Sequence, residues 1–241
     1  MRPGATRGVA MVLYPHGPVT FVDDGLFVVE GRWKRSAFER KMTVFLLADG
    51  EVAVHSAIAM DDAGMAALEE IGQPSWVLVP NSLHCSDASW YADRYPSARV
   101  LVPAAARVKL FEKLQRIDGS LDEDWPEASH GELTPIPLHG TRIGEVAFVH
   151  GPSRTLVLTD AVFHYRDGDL PFTARWIMRA NRAYNRFGPS RIWNSFVVQD
   201  REAFLASIDA LLEHDFDRVI MSHGRILETG GKDAIRAAFA D

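Results

Sequence analysis

Asp217-Arg218-Val219-Ile220-Met221-Ser222-His223-Gly224 is a short apolar run that stops abruptly at a His-Gly pair. Thr155-Leu156-Val157-Leu158-Thr159 stops in the same way at Asp160. Trp76-Val77-Leu78-Val79-Pro80 stops just ahead of Asn81-Ser82-Leu83-His84. Each run reads as a buried strand that delivers a metal-capable side chain at its C-terminal end. Strand ends followed by loops are where α/β proteins build sites, because the scaffold is rigid and the loop side is open. Three such deliveries, far apart in sequence, point to one shared site.

Working outward, the first third of the chain is strand-rich. Leu26 to Glu30 reads as a strand. Thr43 to Leu47 and Glu51 to His55 read as a hairpin turned by Asp49-Gly50. Asp61 or Asp62 is placed to cap a helix reaching Ile71, ended by Gly72 and Pro74. After strand Trp76 to Val79, Ser86 or Asp87 opens a short helix through Tyr91. Strand Val100 to Val102 follows, and then a helix from Pro103 to Ile117. Residues 118–131 are acidic and loop-like. Strands are expected at Leu133 to Leu138, Glu145 to Val149 and Arg154 to Thr159, with His150-Gly151-Pro152-Ser153 turning between the last two. The close is a helix from Arg201 to Glu213, strand Arg218 to Met221 and a last helix from Lys232. Two β-rich-then-βαβ halves predict two sheets face to face with helices outside, a four-layer αββα sandwich. The acidic loop is no linker, so a single domain over residues 1–241 is expected.

Three segments carry a family resemblance. They are Val77 to Asp87, Gly144 to Asp160, and Arg218 to Gly224 with Gly230-Gly231-Lys232. In kind and order they resemble the metallo-β-lactamase fold superfamily, in a divergent branch. The resemblance implies that fold and a metal-dependent hydrolase. The family's first loop carries a His-x-His-x-Asp-His motif, whose ligand positions fall here on Ser82, His84, Ser86 and Asp87, so that one histidine survives. Asp160 falls on the aspartate that bridges two metals in the family, and His223 on the final histidine ligand. The remaining ligand is placed at His139, although its spacing to Gly144 is longer than the motif's. His55 stands where the family often has an aspartate.

Chemistry supports a reduced site independently of the name. Zinc takes imidazole nitrogen and carboxylate oxygen, with about four ligands and an open position when catalytic. His84, Asp160 and His223, completed by His139 or Asp87, suit one divalent ion: zinc first, with iron and manganese also served by such a set. Asp160 and Asp87 are the candidate catalytic carboxylates. Each residue has a structural alternative, Asp87 as a helix N-cap being the most even match. Cys85 reads as a small packing residue.

Arg175, Arg179, Arg182 and Arg186 recur at intervals of four, three and four residues, with Arg191 beyond. If the segment is helical they line one face, opposite Trp176, Ile177, Ala180, Ala183, Tyr184 and Phe187. That face is either a solvated basic surface or a substrate-binding wall for an anionic small molecule.

Composition limits the remaining options. The chain has 241 residues and a net charge of −6, which argues against a nucleic-acid binder. One cysteine forbids an internal disulfide and fits a reducing, cytoplasmic setting. No apolar run approaches membrane-spanning length. The run Val9 to Tyr14 is too short for a signal-peptide core and is broken by Pro15-His16-Gly17-Pro18. A homo-oligomer is compatible with this composition. The competing expectation is a non-catalytic protein whose decayed metal site binds a small molecule or a protein partner.

Overall fold

The structure, a computed structural model, describes residues 13–33, 36–126, 129 and 131–240. Arg2, Arg7 and most of the apolar run that starts at Val9 lie outside them. The first half comprises β1 (His16–Asp23), β2 (Leu26–Arg32), β3 (Glu39–Leu46), β4 (Val52–His55), α1 (Asp62–Ile71), β5 (Pro74–Leu78), α2 (Ala88–Arg94), β6 (Arg99–Val102), α3 (Arg107–Phe111) and β7 (Gly119–Ser120). The second comprises β8 (Leu133–Pro137), β9 (Val146–His150), β10 (Thr155–Leu158), β11 (Phe163–Tyr165), α4 (Phe172–Ala180), β12 (Arg186–Gly188), α5 (Arg201–Glu213), β13 (Arg218–Met221) and α6 (Gly231–Ala238).

The described strands form a seven-stranded sheet in the order β1-β2-β3-β4-β5-β6-β7 and a four-stranded sheet in the order β13-β10-β9-β8, beside the small pair β11-β12. Both large sheets are mixed. β4 to β7 run parallel, as do β10 and β13, and their other neighbours run antiparallel.

The apolar runs are continuous because these strands are buried on both faces. In β10, Leu156 and Leu158 face α5 and α6, while Val157 faces the other sheet. In β13, Val219 and Met221 divide from Ile220 in the same way. In the larger sheet Val77 packs with Met65 and Leu68 of α1 and Tyr91 of α2, while Trp76 and Leu78 join Phe148 and Ile220 between the sheets. Three apolar layers separated by two sheets make the αββα sandwich expected from the sequence. Helix starts are fixed locally: Asp61 accepts from the Gly64 N–H and Asp200 from the Ala203 N–H, caps worth about 1 kcal/mol each. Gly50 takes φ 83° in the Asp49-Gly50 turn.

Several elements depart from expectation. The helix opened by Pro103 is regular only to Phe111, after a 3-10 turn at Ala104–Ala106. Beyond it Arg116 donates to the Ala98 carbonyl, and Asp118 accepts from the Val100 N–H, drawing the chain onto the edge of β6. β7 then forms inside the acidic segment. β1 is an unanticipated, half-exposed edge strand, a place that tolerates Pro18. The arginine-rich segment is not one helix to Phe187. α4 ends at Ala180, where Asn181 donates to the Ile177 carbonyl, and Arg182 and Asn185 turn left-handed at φ 55° and 54°. Arg186 belongs to β12. Among the described residues no helix is long and apolar enough to cross a membrane.

His55, at the end of β4, is 1% exposed and lies against Phe45 and Phe148. Neither ring nitrogen has a hydrogen-bond partner. Burial, followed by the nearby charge of His84, pushes its pKa down to about 3. Above pH ~6.5 His55 is neutral whether the chain is folded or not. Below that the unfolded chain takes up a proton that the folded chain refuses until about pH 3. Stability therefore falls as pH drops through this window, by at most ~1.4 kcal/mol per unit. Urea unfolding of the metal-free protein between pH 7 and 4 should show a midpoint that declines less steeply for His55→Leu than for the wild type.

Candidate metal centre

Three loops meet at the C-terminal ends of β5, β10 and β13. The Nε2 atoms of His84 and His223 each lie 3.2 Å from one carboxylate oxygen of Asp160. One ligand atom from each residue falls within 4.8 Å of the others, and among the described residues this is the group able to hold a metal ion. Both imidazoles are turned inward by contacts on their other nitrogen. His223 Nδ1 donates to the Glu39 carbonyl at 2.6 Å, and His84 Nδ1 lies 2.8 Å from Ser56 Oγ. Such outer partners fix the ring orientation and, at His223, the tautomer that leaves Nε2 free for a cation. Phe163 stacks on His223 at 5.5 Å, and buried Lys41 donates to the Gly224 carbonyl behind it.

Asn81 ties two of the loops together. Its Oδ1 accepts the N–H groups of Leu83 and His84, shaping the turn that presents His84. Its Nδ2 donates to Thr159 Oγ1 and Asp160 Oδ2, both at 2.8 Å. Beneath them the Glu145 carboxylate accepts the N–H groups of Thr159 and Asp160. Burial, and then the negative charge of Asp160, raises Glu145 to about 7. Burial pushes Asp160 upward too, but the facing His84 and His223 outweigh it and hold Asp160 well below the usual carboxylate range. Ser56 sits at φ 53°, an uncommon conformation for a residue with a side chain, which places its hydroxyl against His84.

The other candidates fall outside this trio. Asp87 is 4% exposed and its side chain makes no helix-cap bond. Its Oδ2 instead pairs with Arg40 at 2.5 Å and accepts the Ala59 N–H at 3.0 Å, and Trp33 covers the guanidinium. His139 is exposed, its backbone N–H bonded to Ser207, and it is outside the three-residue group. Ser86 is exposed and Ser82 is buried. His164 is engaged on both nitrogens, by the Arg225 carbonyl and by Arg166. Arg179 lies over Tyr184 and Arg175 over Phe172. Arg179, Arg182 and Arg186 are exposed. A groove of about 300 Å³ opens beside His223, bordered by α4 and the Ser190-Arg191-Ile192 stretch, and none of these arginines lines it.

Asn81, Ser56 and Glu145 are the contributors that motif reasoning passed over. Asn81 had a signal, an Asn after Pro80 at a strand end. Glu145 had another, one carboxylate heading an apolar strand. Ser56 had none, because its role follows from a backbone angle.

The fold has close structural counterparts. A DIM-1 metallo-β-lactamase superposes with a TM-score of 0.64 at 14% identity, over 94% of this chain and 98% of that one. The FIM-1 metallo-β-lactamase from Pseudomonas aeruginosa, in its mono-zinc form, gives 0.60 at 11% identity over 93% and 96%. A flavo di-iron protein from Thermotoga maritima gives 0.60 at 11% identity over 95% of this chain and 62% of that one. Comparison with protein-family models finds no match, and neither does a sequence search among curated proteins. The chain thus has the metallo-β-lactamase fold, carried by a strongly divergent sequence.

The geometry separates the candidate ligands experimentally. His84→Ala, His223→Ala and Asp160→Asn should each abolish stoichiometric cation binding, measured by elemental analysis on folded protein. Asn81→Leu should weaken binding by ~10–100-fold, as loss of an outer partner does. Asp87→Ala should leave the metal content intact while lowering stability by about 3–5 kcal/mol, because it strands a buried guanidinium.

Proposed function

With the metallo-β-lactamase fold as its frame, we propose that this protein is a hydrolase holding one divalent cation, zinc foremost, between His84, Asp160 and His223. The observation that carries the reading is the pair of inward-turned Nε2 atoms facing one carboxylate, each imidazole held from behind by a partner outside the group. Two imidazole nitrogens and a carboxylate oxygen fit zinc, and also iron or manganese, and leave a position for a reactant. A cation bound there supplies Lewis acidity and lowers the pKa of water at its open position. Asp87 serves Arg40, and the motif positions Ser82 and Ser86 offer only hydroxyls, so one ion rather than two is proposed.

The residues around the centre have separable tasks. Asn81 keeps one Asp160 oxygen oriented, and Glu145 fixes the backbone that presents it. The substrate is a small molecule with a carbonyl or phosphoryl group. Arg179, Arg182 and Arg186 then act as an outer basic face that attracts an anionic reactant from solution, rather than as a clamp at the reacting atom. The inter-sheet core draws on both halves of the chain, which favours one domain over residues 1–241.

One observation favours the non-catalytic alternative. Each Asp160 oxygen lies at hydrogen-bonding distance from an imidazole, so the trio is also consistent with a purely protonic cluster.

Zinc-loaded protein should hydrolyse activated esters or lactones, with activity removed by a chelator and restored by zinc. Asp160→Asn should lower kcat on the order of 10²-fold or more. A chain that takes up no zinc, manganese or iron while fully folded would sink the hydrolase in favour of the protonic cluster.

A further inference from the structure

We infer that the groove beside His223 is the seat for an apolar acyl or alkyl chain, and that Ile177, Met178 and Ile192 set the length it accepts. The inference rests on the hydrolase reading for the reacting group and on the groove for the chain attached to it. The substrate class is an ester, thioester or lactone with a hydrocarbon arm. Hydrolysis of such an ester consumes one water, breaks the acyl carbon–oxygen bond and yields a carboxylic acid and an alcohol.

Position is the first argument. His223 is both a member of the three-residue centre and a wall of the groove, and its ring is stacked on Phe163, another wall. Of the trio His223 alone lines the groove, so it is the residue through which a reactant at the centre would reach that space.

Chemistry is the second. Phe163, Ile177, Met178 and Ile192 present hydrocarbon, and no lysine, arginine, aspartate or glutamate lines the space. Besides His223 itself, its two polar side chains are already engaged: the Asn181 amide donates to the Ile177 carbonyl, and Ser190 Oγ accepts the Trp193 N–H. A charged substituent pushed into this groove would lose hydration without gaining a partner. A methylene chain would be favoured there, and at about 300 Å³ the groove suits a small-molecule arm.

Exposure is the third. Ile177 and Ile192 are 53% and 52% exposed, and both line the groove from separate segments of the chain. Phe172, Trp176 and Phe196, near them in sequence, are also exposed. Five of the ten exposed large apolar side chains among the described residues thus lie between Phe172 and Phe196. The arginines of the segment leave the groove itself uncharged.

Two measurements test the inference. Metal-free protein is titrated with 1-octanol and with ethanol, followed by amide chemical shifts. In parallel, the zinc form is assayed on p-nitrophenyl acetate and p-nitrophenyl octanoate. Octanol should bind at least ~10-fold more tightly than ethanol, with shifts centred on Phe163, Ile177 and Ile192. The octanoate-to-acetate ratio of kcat/KM should exceed ~10 and collapse towards one in Ile177→Asp and in Ile192→Asp. These half-exposed positions tolerate a polar residue without unfolding, which circular dichroism checks. Equal kcat/KM for the two esters, or a ratio unmoved in both variants, overturns the groove assignment and leaves the hydrolase standing. Octanol binding at the groove without turnover of either ester supports the groove and removes the hydrolase.

Discussion

The buried side-chain amide of Asn81 is the interaction on which the centre depends. One end of it shapes the turn after β5, and the other holds the carboxylate delivered by β10. β5 and β10 belong to different sheets, so a single side chain spans the sandwich at the site. All four of its hydrogen bonds are made inside the protein, where an unpaired amide would be costly. Two rigid layers are thereby registered to each other at the place where side chains from both must converge within a few ångströms. Glu145 extends the same logic one step deeper, by pinning the backbone on which Asp160 stands.

The Arg40–Asp87 pair changes the electrostatics of the neighbourhood. In the family that the sequence resembles, the position of Asp87 serves a metal. Here a guanidinium, buried under Trp33, supplies a fixed positive charge to that carboxylate. Arginine cannot be titrated away in the accessible pH range, so the charge is permanent. The consequence is that Asp87 brings no unpaired charge to the neighbourhood, which leaves Asp160, with Glu145 beneath it, as the carboxyls of the centre.

How much was legible in the sequence follows from the periodicities. Strands buried on both faces write themselves as unbroken apolar runs, so β5, β10 and β13, with the residues at their ends, could be read directly. The layer order followed from the βαβ pattern. β1 was illegible because an edge strand with one solvated face and Pro18 has little apolar content to betray it. The segment from Phe163 to Ile192 was illegible for a different reason. Its arginine spacing mimics one long helix, whereas left-handed turns at Arg182 and Asn185 break it into a helix and a strand. Those turns are set by tertiary contacts, among them the Tyr165 carbonyl that accepts the Asn185 N–H. At the centre, the three convergent residues carry their chemistry in their names. Ser56 and the Glu39 carbonyl do not, since backbone geometry gives them their roles.

β13 also fixes when the centre comes into being. It pairs in parallel with β10 and brings His223 from a point 63 residues beyond Asp160. The seven-stranded sheet is assembled from neighbours in sequence order, a local topology that favours its forming ahead of the longer-range pairing of β10 with β13. At that stage His84 is in place with Asn81 above its turn, yet Asp160 and His223 have still to arrive. The trio proposed to hold a cation therefore closes only when β13 docks beside β10, bringing His223 to the two residues already presented by β5 and β10.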